Sequence, residues 1–186
     1  MALAHAILVT LLDCPRSGYD IRKRFEGSVG FFWQANFQQI YRELGKLEEK
    51  GLVQSEAIAQ QSRPDKKVFA VTADGEAFLQ AWMQTPCEMA PIRDDLMVKM
   101  FAGFVVSREA MLTELQEHQS LHQKRLAVYQ QIQQNDLANP EHMSEKDLFR
   151  YLTLCGGIQY EQGWLSWYEE ATLILTKYAE GSASSP

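Results

Sequence analysis

Cysteine is scarce. The three in this 186-residue chain, Cys14, Cys87 and Cys155, are odd in number, far apart and without a Cys-x-x-Cys spacing. That excludes a disulfide framework and a typical structural zinc set, and it fits a reducing cytoplasm. No apolar run approaches the roughly 18–20 residues that a bilayer span needs, so no membrane association is expected. The apolar start, Ala2–Leu12, lacks a basic leader and runs into Asp13-Cys14-Pro15 where small residues would mark a cleavage site. It reads as a structural helix and not as a secretion signal. A phosphate-binding glycine loop is missing, since Gly27-x-x-Gly30 is too short, and so is a nucleophile elbow. The four histidines are scattered and form no evident triad, so neither an enzyme nor a cofactor is expected. His118 and His122 stand four apart, the spacing of one helix face, but only Glu114 and Glu117 lie nearby to complete a set. Solvated or dimer-facing histidines are the simpler reading, and no metal is expected.

Net charge is −6, which argues at first against a polyanionic partner. The charge is unevenly placed. Residues 1–83 hold ten Lys/Arg and ten Asp/Glu, while residues 84–186 hold eight and fourteen. The first half is therefore neutral, and a neutral half carries a basic face wherever its acids lie elsewhere.

Periodicity separates the same two halves. Ala2–Leu12 predicts a helix that Pro15 cannot continue. Ser17 is an N-cap for a second helix over about Gly18–Glu26, with Tyr19, Ile21 and Phe25 apolar. After Gly27-Ser-Val-Gly30 and Phe31-Phe32-Trp33, a third helix is predicted over roughly Ala35–Lys50. Phe37, Ile40, Tyr41, Leu44 and Leu47 form its stripe, and Gly51 its C′ residue. Leu52–Gln60 and Lys66–Thr72 alternate and flank a turn at Gln61-Ser-Arg-Pro-Asp65, the signature of a β-hairpin. Asp74–Met83 is a fourth helix. Residues 84–91, with two of the six prolines, read as a linker.

Residues 92–180 show no strand signal. Helices are predicted over Asp94–Gly103, over Arg108–Gln134 behind Ser107, and from Ser144 to about Ala179, with a break near Pro140. Residues 181–186 read as a disordered tail. The fold class is mainly α with a small β-hairpin. The order helix-helix-helix-hairpin-helix over 1–83 is that of a winged helix-turn-helix, and 92–180 is expected to be a helical dimerisation domain.

The third helix carries the functional expectation. Opposite its apolar stripe lie Gln34, Asn36, Gln38, Gln39 and Arg42. Asn and Gln match adenine edges, Arg matches guanine or phosphate, and a helix fits the major groove. The preceding helix has Arg22, Lys23 and Arg24, suited to phosphates. The hairpin tip, stiffened by Pro64, has Arg63, Lys66 and Lys67.

The motifs Ser17-Gly-Tyr-Asp-Ile21, Gly30-Phe-Phe-Trp33, Gln39–Val53 and Arg63–Gly75 resemble the PadR family of winged-helix transcriptional regulators. The likeness covers about Leu3–Met83. Phe31-Phe-Trp33, Gln38-Gln39 and Arg93-Asp-Asp95 are most similar to its AphA-like virulence-activator branch. The resemblance implies a homodimer that reads double-stranded DNA at a pseudo-palindromic operator. By the same carry-over Gln34, Asn36, Gln38, Gln39, Tyr41 and Arg42 touch DNA from the recognition helix, and Arg63, Lys66 and Lys67 from the wing. The chain departs from the family at the start of that helix. Asn36-Phe-Gln-Gln-Ile-Tyr-Arg42 stands in place of a Ser-x-x-x-Leu-Tyr-Pro-like pattern, which leaves base preference open.

For dimerisation the expected residues are Leu112, Leu115, Leu126 and Tyr129 in a short coiled coil, with Leu152, Leu165 and Tyr168 on the last helix. That helix has more apolar surface than one short partner covers. Gly156, Gly157 and Gly163 inside it point to close helix approach, a kink or a ligand. An alternative is a regulator that responds to a small aromatic effector in a pocket between the domains, motivated by Trp33, Trp82, Trp164, Trp167 and Tyr168. A winged helix used only to bind proteins is a further alternative, against which the amide-rich third helix argues.

Overall fold

Ala4, Ile7, Leu8 and Leu11 repeat at three- and four-residue steps, and all four are buried on one face of helix α1 (Ala2–Leu11). Against them pack Ile21 and Phe25 of α2 (Gly18–Gly27) and Ile40, Leu44 and Leu47 of α3 (Phe37–Glu49). Val53 of β2 (Val53–Ile58), Phe69 of β3 (Lys66–Val71) and Leu79 of α4 (Ala73–Met83) complete this core. Each fully buried side chain of this size contributes roughly 1.5–3 kcal/mol of transfer free energy. The computed structural model describes residues 2–27, 33, 35–59, 66–89, 92–136 and 143–183. The chain divides into two units, Met1–Ala90 and Pro91–Pro186.

The expected hairpin is present. Strands β2 and β3 are antiparallel, with Val53 opposite Val71 and Ile58 opposite Lys66. A third strand was not expected from sequence: β1 (Arg16–Ser17) pairs with the other edge of β3, Arg16 opposite Phe69 and Ser17 opposite Val68. Two residues show no period, so the segment reads as a mere break. The turn from α3 into the sheet depends on Gly51, at φ +68°. There the Gly51 N–H donates to Glu48 O at 2.9 Å and the Leu52 N–H to Leu47 O at 2.9 Å. This double closure needs a left-handed residue, which glycine adopts without steric cost. The result is a winged helix-turn-helix in a mainly helical chain.

The second unit is helical: α5 (Asp95–Phe101), a 3-10 turn (Gly103–Val105), α6 (Arg108–Asp136) and α7 (Glu145–Ala183). Asp94, Ser107 and Ser144 cap the three helices by accepting from Met97, Ala110 and Asp147 N–H groups. The helix α7 runs through Ala183, so the first three residues of the expected tail at 181–186 are helical. Helices α6 and α7 are antiparallel neighbours. Leu115 meets Tyr168, His122 meets Glu161, and Tyr129 lies against Gly157. Those α6 residues are seven apart, so the heptad-like stripe closes on α7 of the same chain. Among the described residues no helix is long and apolar enough to cross a membrane.

Candidate nucleic-acid interface

Helix α3 buries Ile40, Leu44 and Leu47 and turns Gln38, Gln39, Tyr41 and Arg42 to solvent. Two members of the expected apolar stripe are therefore misassigned. Phe37 and Tyr41 are exposed and lie against each other, ring centroids 4.4 Å apart. Gln34 and Arg63 lie outside the described residues.

Asn36 and Gln39 have a second occupation. The Asn36 side chain accepts from the Gln39 N–H at 2.9 Å, and the Gln39 side chain accepts from the Asn36 N–H at 2.9 Å. This reciprocal cap satisfies two N–H groups that the helix end leaves without partners. It also engages both amide carbonyls. Bidentate pairing with adenine needs a carbonyl and an NH2 from the same amide. While the cap holds, one lone pair of each of these carbonyls is taken, whereas Gln38 and Arg42 face solvent outside the cap.

Tyr41 is fixed by α2. A side chain at Gly18 would overlap the end of the Tyr41 ring, so the ring sits where the glycine lacks a Cβ. The Ser17 hydroxyl caps α2 by accepting from the Asp20 N–H at 3.2 Å, and it donates to the Asp20 carboxylate at 2.7 Å. On α2, Arg22 and Lys23 are exposed, and the Lys23 ammonium lies 5.4 Å from the Tyr19 ring centroid.

Lys66 and Lys67 do not stand on the hairpin turn. They open β3, opposite Ile58 and Ala57, and both are paired with acids of the chain itself. Lys66 Nζ lies 2.9 Å from Asp20, and Lys67 Nζ lies 2.7 Å from Glu48, which also accepts from the Ser55 hydroxyl. Lys66 first, then Ser17, holds the Asp20 carboxyl below its usual range; Lys67, then Ser55, does the same for Glu48. Sequence spacing gives no sign of these partners, because Asp20 and Glu48 lie far from the lysines along the chain.

In the second unit the expected dimerisation residues divide. Leu115, Tyr129 and Tyr168 are buried within one chain, at 1%, 2% and 1% exposure, and so are not available to a partner. Leu112, Leu126 and Leu165 are half-buried and Leu152 is exposed. Exposed apolar side chains that sequence reasoning did not single out include Leu121, Val128, Phe149 and Ile174. Glu161 was missed too. It is buried, bonded to His122 Nδ1 and 3.4 Å from Arg125, with Trp164 stacked on the imidazole and Tyr168 tilted against it. His118 instead lies 3.5 Å from Glu114, so the two histidines do not share one site. Burial pushes the Tyr168 phenol up to about 12. Of the aromatics considered for an effector, Trp82 stacks on His5 in the first unit. Trp164 and Trp167 line an open concavity of about 390 Å³ in the second, with Met97, Gln159, Tyr160 and Gly163.

Residues 7–81 match the Transcriptional regulator PadR-like family, and residues 92–176 match Virulence activator alpha C-term. The probable transcriptional regulator Rv1176c of Mycobacterium tuberculosis is 35% identical over 187 residues, 94% of this chain and 98% of that protein. The chain belongs to the PadR family of transcriptional regulators. Among solved structures, the Vibrio cholerae virulence activator AphA is 33% identical, covering 95% of this chain and 99% of that one, with a TM-score of 0.76. Bacillus subtilis PadR in complex with operator DNA is 26% identical, covering 94% and 99%, with a TM-score of 0.82. The same Bacillus subtilis protein in complex with p-coumaric acid covers 95% and 99% at 26% identity, with a TM-score of 0.76. This PadR-family chain, of the AphA-like branch, is a DNA-binding transcriptional regulator and not an enzyme.

Proposed function

We propose that this regulator acts in the cytoplasm as a homodimer on a pseudo-palindromic operator, one α3 entering each of two successive major grooves about 34 Å apart. The observation that carries the reading is the two-faced α3: Ile40, Leu44 and Leu47 anchor it, while Gln38, Tyr41 and Arg42 face out. In this reading Gln38 and Arg42 contact bases, Tyr41 and the Arg22-Lys23 segment contact phosphates, and Arg63, Lys66 and Lys67 support the wing. The cap gives Asn36 and Gln39 mainly a shaping role, with their NH2 groups as remaining donors. The dimer is held by exposed apolar residues of the second unit, among them Leu152 and Phe149.

Fluorescence anisotropy on duplexes tiling the promoter beside its own gene tests the DNA role. Arg42→Ala and Gln38→Ala each weaken binding to the best duplex by about 1–3 kcal/mol and relax its sequence preference. Equal binding of all tiles by wild type and both variants rejects α3 as the reader. Sedimentation velocity tests assembly: Leu152→Lys shifts the dimer toward monomer, and an unshifted distribution rejects this face.

A second reading, an effector-responsive regulator, is favoured by the aromatic lining of the concavity in the second unit. Tryptophan emission titrated with a panel of phenolic acids tests it. Quenching that Trp164→Phe abolishes supports it, and no change across the panel rejects it.

A further inference from the structure

Consecutive residues of a strand project to opposite faces, so Lys66 and Lys67 leave β3 in different directions. Each ends on a carboxylate of a different helix: Lys66 on Asp20 in the first turn of α2, Lys67 on Glu48 in the last turn of α3. The carboxylates are the anchored partners. Asp20 accepts from the Ser17 hydroxyl at 2.7 Å and the Ser17 N–H at 3.3 Å, and Glu48 accepts from the Ser55 hydroxyl. The lysines are the movable partners, each on a flexible four-carbon stem. All four side chains keep a third or more of their surface in water. Ion pairs so exposed hold a fold together only weakly. They do cancel two positive charges at the base of the wing.

We propose that Asp20 and Glu48 are built-in counterions, which duplex phosphates must displace before Lys66 and Lys67 can be recruited. The proposal rests on the reading that α3 and the wing contact DNA. Its physical consequence concerns the sequence-independent part of binding. A phosphate contact strengthens binding by releasing a condensed cation, with about 0.9 of salt slope per contact on B-DNA. A lysine that already holds a carboxylate gives back part of that gain when it changes partner. The two acids therefore restrain attachment to arbitrary sequence and leave contacts by Gln38 and Arg42 to discriminate.

The test uses a random-sequence 30-base-pair duplex as probe, by anisotropy across a salt series. Asp20→Asn and Glu48→Gln remove the charge and keep an oxygen for Ser17 and Ser55. Each is expected to tighten binding roughly twofold to fivefold at low salt and to steepen the log–log salt slope by up to about one. Thermal melts are run alongside, and the two substitutions serve as independent copies should one lower stability. Unchanged or weaker binding by both folded variants, with unchanged slopes, overturns the proposal. Lys66→Ala, Lys67→Ala and Arg42→Ala separate the two ideas. If they weaken binding while Asp20→Asn and Glu48→Gln change nothing, the counterion role fails and the DNA reading stands. If no variant alters duplex binding, both fail.

Discussion

The ring of Tyr41 on α3 occupies the space that a side chain on Gly18, the first residue of α2, would fill. Alanine in place of helical glycine ordinarily gains about 0.5–1 kcal/mol. Here the added methyl meets the ring, so Gly18→Ala is expected to lose stability. In a Tyr41→Ala background the same substitution is expected to gain it. Urea unfolding of the four proteins measures the coupling, expected at about 1 kcal/mol or more. Additive effects would show that the ring is not seated there.

The reciprocal cap of α3 predicts a split between stability and recognition. Asn36→Ala removes an acceptor for the Gln39 N–H and is expected to cost about 1 kcal/mol, whereas Asn36→Asp keeps the cap. Gln38→Ala, two residues on and facing solvent, is expected to change stability by less than about 0.5 kcal/mol. Chemical denaturation of the three variants is the check.

Much of the fold was legible in the sequence because periodicity reports burial. Ile40, Leu44 and Leu47 were correctly read as an inner face from three- and four-residue steps. Phe37 and Tyr41 share that spacing but sit at the edge of the stripe, where period alone does not separate contact with the core from contact with each other. The Ser17, Ser107 and Ser144 caps are local in sequence, and Ser17 and Ser107 read directly as caps. What was hidden is long-range. The pairs Lys66–Asp20, Lys67–Glu48 and His122–Glu161 join residues that only the fold brings together. The amide-rich start of α3 was read as a recognition surface, but a helix end has its own claim on Asn and Gln.

Tyr168 offers a test with an unusual sign. Its hydroxyl is buried and, among the described residues, without a hydrogen-bond partner. A buried polar group in that state carries a desolvation cost, so Tyr168→Phe is expected to stabilise the chain by about 1 kcal/mol at pH 7. The phenol is pushed up to about 12 in the folded chain, from an ordinary value of about 10. The folded state therefore keeps a proton that the unfolded state loses, and the associated stability, present below pH 10, falls away as pH rises toward 12. Tyr168→Phe is expected to show a shallower loss over that interval. Parallel losses in urea titrations at pH 7 and near pH 11 would contradict the assignment.

Glu161 predicts an asymmetry. His122→Ala strands a carboxylate at 1% exposure beside a half-exposed Arg125, and the expected cost is about 3 kcal/mol. Glu161→Gln removes the buried charge and keeps a side chain that can hydrogen-bond to His122, so it is expected to cost less. Melting curves that rank the two variants the other way would show that the carboxylate is not the group at stake.

Leu115 meets Tyr168, and Tyr129 meets Gly157, between α6 and α7 of a single chain. The C-terminal half thus closes an interior of its own, and in the homodimer proposed above assembly would join bodies that are already folded. Under that proposal, occupancy of paired operator sites would follow the chain's concentration through mass action, while the lone chain would stay folded on dilution.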